Sequence, residues 1–592
     1  MNRSSRRRQH RSWLALTVSL GMVAAACGSG DDDAASDTAT DAAPTDRSDE
    51  VSDDPRTVDA GAGEGDPVAG GTLMVGLESE VDGLNPANNA FDASGMQMGI
   101  SVFDTLAVHA EDGEPVPFLA ESFTPNADFT EWTVALREGV TFHDGTPFDA
   151  AAVEAAINAT LASPLVSFAL LTWLDPAGAV EIVDESTVII TTKVPTAHFP
   201  SALTGQLGMM PSPTWLAAIE ENQDLAQEPV GTGPFVFDSR VQDEKTVFVR
   251  NDDWWGNDVF GTQTYLDAIE FHPVPNVDTR TTSLLTGAFD GSHTTNPDTV
   301  QKLREEEESG DITNLVDDVG EESFVMINAD PAATDAAEQA PNPFQFVEAR
   351  RALTLATPKE RYLQVIGLGE LESASHMFHP SEPFFVDDVV QEADDPDQAR
   401  AIAAEFCADP SKAEFCSDGN INMQFKYIGG SQIQDDIADV LTAAWGDAGF
   451  NVDITNTKQD SYITEVALNQ YQVVIWRQFG AVDPDSDVVV LQCESIDVVA
   501  LNFPRLCDED RDVLILAQRA EVDEADRAVI WADLVRSINE AYSYVFLTHT
   551  RWVNSYDDTV KGLCSAPATA DGRLQRCTVN GRTPYQTVWI EP

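Results

Sequence analysis

The chain is predicted to be an α/β protein with more than one lobe, and three observations carry that prediction. Apolar runs at a period of two alternate along the sequence with runs at helical spacing. Asn, Asp, Gly and Pro clusters punctuate them at short intervals. At 592 residues the chain is too long for a single hydrophobic core.

The elements follow in order. Ordered sequence begins near Gly70, where GGTLMVGLESEVDGLNPA holds a short strand, Leu73 to Leu77, and then a turn-rich loop. Trp132, Val134 and Leu136 lie on one face of a strand, and Val140 and Phe142 resume the alternation. Asp149 is placed to cap a helix whose face is Val153, Ile157 and Leu161. VEIVDESTVIITTKV reads as a pair of short strands. Phe235–Phe237 is a strand after two glycine turns, and a helix capped by Asp278 ends at Gly287. NPFQFVEARRALTLATPKERYLQVI is helical and broken at Pro358, and Asp397 to Cys407 is helical again. The strand MQFKYIGG, a helix from Ile433 to Ala448 and the strand FNVDITN come next. YQVVIWRQFGAVDPDSD is a strand running into a loop. A helix from Glu524 to Tyr542 precedes the strand SYVFLTHTRWVNS. There is no internal repeat.

Charge excludes one class of partner. Against 34 Lys and Arg stand 100 Asp and Glu, a balance that repels nucleic acid and favours solubility. The N-terminus points to export. Five arginines up to Arg11 precede an apolar run, Trp13 to Ala26, too short for the roughly 20 residues that span a bilayer. It ends VAAAC and resembles a bacterial lipoprotein signal, with Cys27 as the lipidated residue, although Ala24 stands where such signals usually have Leu. Residues 1–26 are thus a signal peptide. Residues 27–69 are an acidic tether lacking the apolar groups to form a core. The other six cysteines allow 15 pairings. Short separations and an oxidising compartment favour Cys407 with Cys416, Cys493 with Cys507, and Cys564 with Cys577. Each such bond contributes on the order of 2–3 kcal/mol.

Several segments taken together carry a resemblance. They are LNP at Leu84–Pro86, PFLAESFTPNADFTEWTVALREGVTFHDGTPFDAAAV, PVGTGPF at Pro229–Phe235, NDDWWG before YLDAIEF, the helix ending LLTGAFD, and FVEARRALTLATPKERY. In this order they resemble the family 5 extracellular solute-binding proteins of ABC importers, the oligopeptide-, dipeptide- and nickel-binding group. The resemblance implies a two-lobed periplasmic-binding-protein-like fold of type II, with the extra subdomain of the peptide-binding group. Lobe I then takes residues 70–102, 228–329 and 543–592, the extra subdomain 103–227, and lobe II 330–542. It implies a receptor that closes on a peptide or other small solute and delivers it to the permease and ATPase subunits. The receptor is expected to be a monomer held at the outer face of the membrane by its lipid, with no cofactor, no metal and no catalysis. A secreted hydrolase and a receptor for nickel or another metal chelate are the alternatives.

His143-Asp144 invites an active-site reading, but Asp144-Gly145 is also a turn pair before a capped helix, and the turn suffices. No G-x-S-x-G, H-E-x-x-H or phosphate loop is present. His376 and His379 border the cleft by family position, as do Asn85 and Phe91. Family members that bind peptides carry an Asp just after the Trp of YQVVIWRQFGAVDPDSD, pairing with the ligand ammonium. Here Trp476 is followed by Arg477, Gln478, Phe479 and Gly480. Arg477, if it points into the cleft, favours an anionic group, whereas a surface Arg in an alternating strand is the other reading. Trp476 and Phe479 supply apolar walls or core, and Asp483 belongs to the DPD turn that the family usually keeps for structure. Trp254-Trp255 is read as packing.

Overall fold

A computed structural model describes residues 65–592, apart from 90, 164–165, 172, 177, 336–338, 430–431 and 497–499. Cys27, the leader and nearly all of the tether lie outside the described residues.

Two large sheets organise the chain. The first has seven strands in the order Ile312–Asp317, Trp552–Asp557, Gly291–Thr294, Thr72–Leu77, Ala268–Pro273, Lys245–Arg250 and Phe235–Val241. Its centre is the predicted first strand, parallel to both neighbours. Leu73, Val75 and Leu77 alternate into a core with Phe248, Ile269 and Phe271.

The second sheet has six strands. Cys416–Ser417, Asn420–Ile428, Val473–Gln478, Glu322–Ile327 and Tyr544–His549 run in that order, and Phe450–Thr457 pairs with Asn420–Ile428. Glu322–Ile327 is buried at all six positions, because the sheet is covered on both faces. Phe324 and Met326 pack on one side with Val474 and Trp476. Val325 and Ile327 pack on the other with Val473 and Ile475.

A third sheet, Ala120–Pro125, Glu131–Leu136, Thr187–Thr191 and Val180–Asp184 in order, is backed by the helix Ala150–Ala162. Asp149 caps that helix, accepting from Ala152 N at 3.0 Å. The segment that invited an active-site reading lies beside it. Asp144 Oδ1 accepts from Thr146 N (3.0 Å) and Oγ1 (2.6 Å), and Oδ2 from Ser212 Oγ (2.6 Å). Gly145 supplies the positive φ of 81° that the turn needs. His143 Nε2 bonds Gly233 O at 3.0 Å and Nδ1 accepts from Gly231 N at 3.4 Å. Both ring nitrogens are thus occupied by backbone.

Two local expectations are corrected. Asn276, not Asp278, caps the helix Val277–Leu285, accepting from Thr279 N at 2.8 Å, and Asp278 sits in its first turn. SYVFLTHTRWVNS is two strands, Tyr544–His549 and Trp552–Asp557, belonging to different sheets. The stretch reads as one strand because both halves are buried along nearly their whole length. The chain therefore crosses between the large sheets twice, at Asp317 to Glu322 and at His549 to Trp552. The crossings touch through His549 Nδ1 and Glu322 Oε1, 3.1 Å apart.

Three disulfides join Cys407 to Cys416, Cys493 to Cys507 and Cys564 to Cys577.

Candidate functional site

A cavity of about 480 Å³ lies between the second large sheet, the segment after Ser163 and the C-terminal turn. One wall is apolar and comes from the extra segment after Ser163: Leu170, Trp173 and Phe199. The facing wall is the loop that leaves the strand Val473–Gln478, from Trp476 to Val490, with Leu501 and Phe503 behind it. Glu321, at the first crossing, and the turn Val579–Arg582 close the polar end. Size and lining suit a small organic ligand.

Local chemistry fixes the loop. Phe479 adopts a positive φ of 70° and packs against Phe324 and Tyr544 at 5.6 and 5.4 Å between ring centroids. At Gly480 an added Cβ would stand 2.9 Å from Asn580 Nδ2 and 3.1 Å from Glu321 Cγ, so any side chain there must displace the Asn580 amide. Asn580 Nδ2 donates to Gly480 O at 2.8 Å, tying the C-terminal turn to the loop.

Ion pairs hold the rest of the loop. Asp483 accepts from Arg527 Nη1 and Nη2 at 2.8 and 2.7 Å, and Arg519 Nε donates to Asp485 at 2.9 Å. Burial alone would raise the Asp483 carboxyl, but the Arg527 pair overcomes it and holds it below the usual range. Asp487 has no such partner. It accepts one bond, from Ala481 N at 3.0 Å. Burial, aided by the charges of Glu321 and Asp483, pushes it up to about 7. Glu321 is also raised by burial, with Arg477 opposing.

The residues singled out from sequence are placed as follows. Phe91, Trp476, Gln478, Phe479 and Asp483 line the cavity. Trp476 Nε1 donates to Gln478 Oε1 at 3.2 Å, and its ring meets Phe503 at 5.1 Å. Arg477 points away, to Thr295 Oγ1 at 3.1 Å and Glu321 Oε2 at 3.4 Å, with its guanidinium 5.9 Å from the centre of the Trp552 ring. Asn85 forms a turn, its Oδ1 accepting from Ala87 N at 3.0 Å. That loop holds Gln206, a cavity residue, through Pro86 O and Asn89 O at 2.7 and 2.6 Å. His376 is buried, with Nε2 on Val386 O (3.1 Å) and Nδ1 accepting from Phe378 N (3.2 Å). His379 packs on His549, 5.0 Å between centroids. Among the described residues no group of three or more His, Cys, Asp or Glu is placed to hold a metal ion.

Sequence reasoning passed over Glu321, Asp487, Asn580 and Arg582. The last two carried a signal: Asn580-Gly581 is a hairpin turn pair, with φ of 47° and 77°. The sequence marks the turn but not the wall it joins.

Comparison with known proteins agrees with this geometry. The bacterial extracellular solute-binding proteins, family 5 Middle, match residues 114–495. The chain belongs to this family. It is 24% identical over 538 residues to di/tripeptide-binding protein 2 of Pseudomonas aeruginosa (strain UCBPP-PA14), covering 84% of this chain and 93% of that one. It is 24% identical over 469 residues to the nickel-binding periplasmic protein of Escherichia coli (strain K12), 76% of this chain and 83% of that one. The fold matches that of the ABC transporter-associated periplasmic binding protein DppA from Helicobacter pylori, in complex with the peptide STSA. The TM-score is 0.72 at 20% identity, over 89% of this chain and 99% of that one.

Proposed function

We propose that the protein is the capture component of an ABC import system, taking a peptide or other small solute from outside the cell and passing it to a membrane permease. The observation that carries this reading is the cavity itself. Its walls come from the second large sheet and the loop that leaves it, from Phe91, Met96 and the turn Val579–Arg582, and from the extra subdomain, and among the described residues the chain crosses between the large sheets at two short segments. A ligand touching both sides stabilises the closed arrangement by its differential affinity for it. Residues 70–102, 228–329 and 543–592 then act as lobe I, 103–227 as its subdomain and 330–542 as lobe II. Phe91, Trp476, Gln478, Phe479 and Asp483 serve the ligand directly, while Arg477, Asn85 and His376 support the walls.

Binding rather than turnover is favoured by how the cavity histidines are spent. His109 Nδ1 bonds Gly113 O at 2.9 Å and Nε2 bonds Thr204 Oγ1 at 2.8 Å. His198 Nε2 bonds Glu521 O at 2.7 Å. The same engagement speaks against their ligating a metal, so an organic solute is preferred over a metal chelate.

Native mass spectrometry of protein purified gently from a natural medium is expected to show a retained small molecule, and a broad solute screen to raise the melting temperature. A screen without a hit, together with measurable hydrolase turnover, would replace the receptor by an enzyme. Anchoring rests on the VAAAC sequence: Cys27→Ala is expected to release the protein from membranes, and continued retention would exclude the lipid.

A further inference from the structure

The charged groups on the cavity wall do not all find internal partners. Asp483 has Arg527, Asp485 has Arg519, and Glu321 has Arg477. Arg582 is different. Its backbone closes the Val579 turn, but among the described residues its guanidinium has no ion pair within 4 Å and no side-chain hydrogen bond. Arg582 is half-buried, and a cation drawn partly out of water without a partner is costly. Burial lowers its pKa to about 10, with Arg576 adding to the shift and Asp317 opposing it.

Arg582 also stands at a boundary. Behind the main cavity lies a second of about 70 Å³, and the two share His109, Thr204, Val579 and Arg582 as a common wall. That volume holds a few waters or one small ionic group. Its other polar walls are Arg576, Gln575, Gln586, Thr105 and Asp104. Arg576 Nη2 is 3.5 Å from Asp317, which leaves it only partly neutralised. Asp104 turns its Oδ2 to three donors, Trp255 Nε1 (2.7 Å), Thr232 Oγ1 (3.0 Å) and Trp254 Nε1 (3.2 Å). Gln575 is spent on Pro567 O at 2.9 Å. Gln586 is only 6% exposed, and its Oε1 is buried without a hydrogen-bond partner. An unpaired guanidinium on the wall of a small enclosed space marks a place built for a guest. The corner is electropositive by a second witness: after burial and against the Gly113 carbonyl, the charges of Arg576 and Arg582 help lower His109 to about 4.

We propose that this annex is the subsite for an anionic end group of the ligand, a carboxylate, with Arg582 as its charged anchor. The ligand's apolar body then lies in the main cavity, against Trp173, Phe199 and Phe503. Charge-assisted bonds from a planar guanidinium match a carboxylate in both geometry and strength. The unpaired cation belongs to lobe I and the apolar loop to lobe II, so a ligand using both joins them. The inference rests on the receptor reading and adds what the receptor selects.

The test uses the full chain and matched probes, each carboxylate paired with its neutral amide: 3-phenylpropionate, N-acetylleucine and the dipeptide Leu-Phe. Calorimetry is expected to show the acids binding wild type at least about tenfold more tightly than the amides, the level of one charge-assisted bond. Arg582→Gln is expected to erase that preference and Arg582→Lys to keep part of it. Circular dichroism checks that each variant is folded. Equal binding of acid and amide by wild type, or a preference undiminished in Arg582→Gln, overturns the annex while leaving a binding protein in place. Binding of no solute from the broad screen removes the receptor and the annex together.

Discussion

Asp483→Ala should be among the most damaging single changes near the cavity. Its partner Arg527 is 3% exposed in its side chain and holds both carboxylate oxygens, at 2.7 and 2.8 Å. Arg527 Nε and Nη2 also donate to Gln518 Oε1, at 3.1 and 3.0 Å. Removing the carboxylate leaves a guanidinium buried with one neutral acceptor. Breaking a buried pair in this way costs about 3–5 kcal/mol. Replacing both partners, as in Asp483→Leu with Arg527→Met, should restore most of the loss, because the desolvated charge is then gone. Urea unfolding of the three proteins measures this. The pH dependence provides a second check. The folded carboxyl is held below its ordinary value, so its contribution is present above about pH 4 and is lost as pH falls through the folded pKa. Wild type should therefore lose stability toward acid more steeply than Asp483→Ala. A loss below about 1 kcal/mol in Asp483→Ala, the level of an exposed pair, would refute the buried-clamp argument.

Three further expectations follow from the same geometry. Asp487 is raised to about 7, so between about pH 4 and 7 the folded state keeps a proton that the unfolded state has released, and stability falls as pH rises through that window. Asp487→Asn should flatten that segment of a stability-against-pH curve, and an unchanged slope would count against it. Gly480→Ala pushes a methyl group against Asn580 and Glu321 and should cost about 1–3 kcal/mol, read by thermal unfolding, with weakened ligand binding; full tolerance would mean that the contact yields freely. Removing Cys407–Cys416 by a double change to Ser, across a separation of 9 residues, should lower stability by about 2–3 kcal/mol without altering ligand affinity, since the pair packs beside the core of the second sheet and not on the cavity.

Much of the fold was legible because local signals and tertiary burial agree. The helix expected from Ile433 to Ala448 is Gln432–Asp447, and the one from Glu524 to Tyr542 is Glu524–Ala541. The break at Pro358 falls between Val347–Ala356 and Lys359–Tyr362. Period-two patterning found the strands but could not assign them to sheets, so the two strands around Thr550-Arg551 read as one. The site was less legible for a related reason. Trp476, Gln478 and Phe479 are legible because they sit in one contiguous stretch, the end of the strand Val473–Gln478 and the loop after it, where the chain departs from the family's peptide-binding pattern. Arg582 and Gln586 come from a turn near the far end of the chain, and no local pattern says where that turn docks. Arg477 shows the limit of alternation: its register in the strand predicts a face, but the neighbouring crossing strand places Glu321 there and takes the charge.

The position of Trp552–Asp557 has a consequence for how the protein is made. That strand lies between Ile312–Asp317 and Gly291–Thr294, although it leaves the ribosome more than 230 residues after the later of them. Until it arrives the first sheet has a gap one strand wide, with two unsatisfied edges facing each other. A nascent chain with such a gap cannot complete its first lobe early. Late closure is thus a built-in delay, and a chain truncated before residue 552 should be prone to pairing with other chains rather than merely inactive.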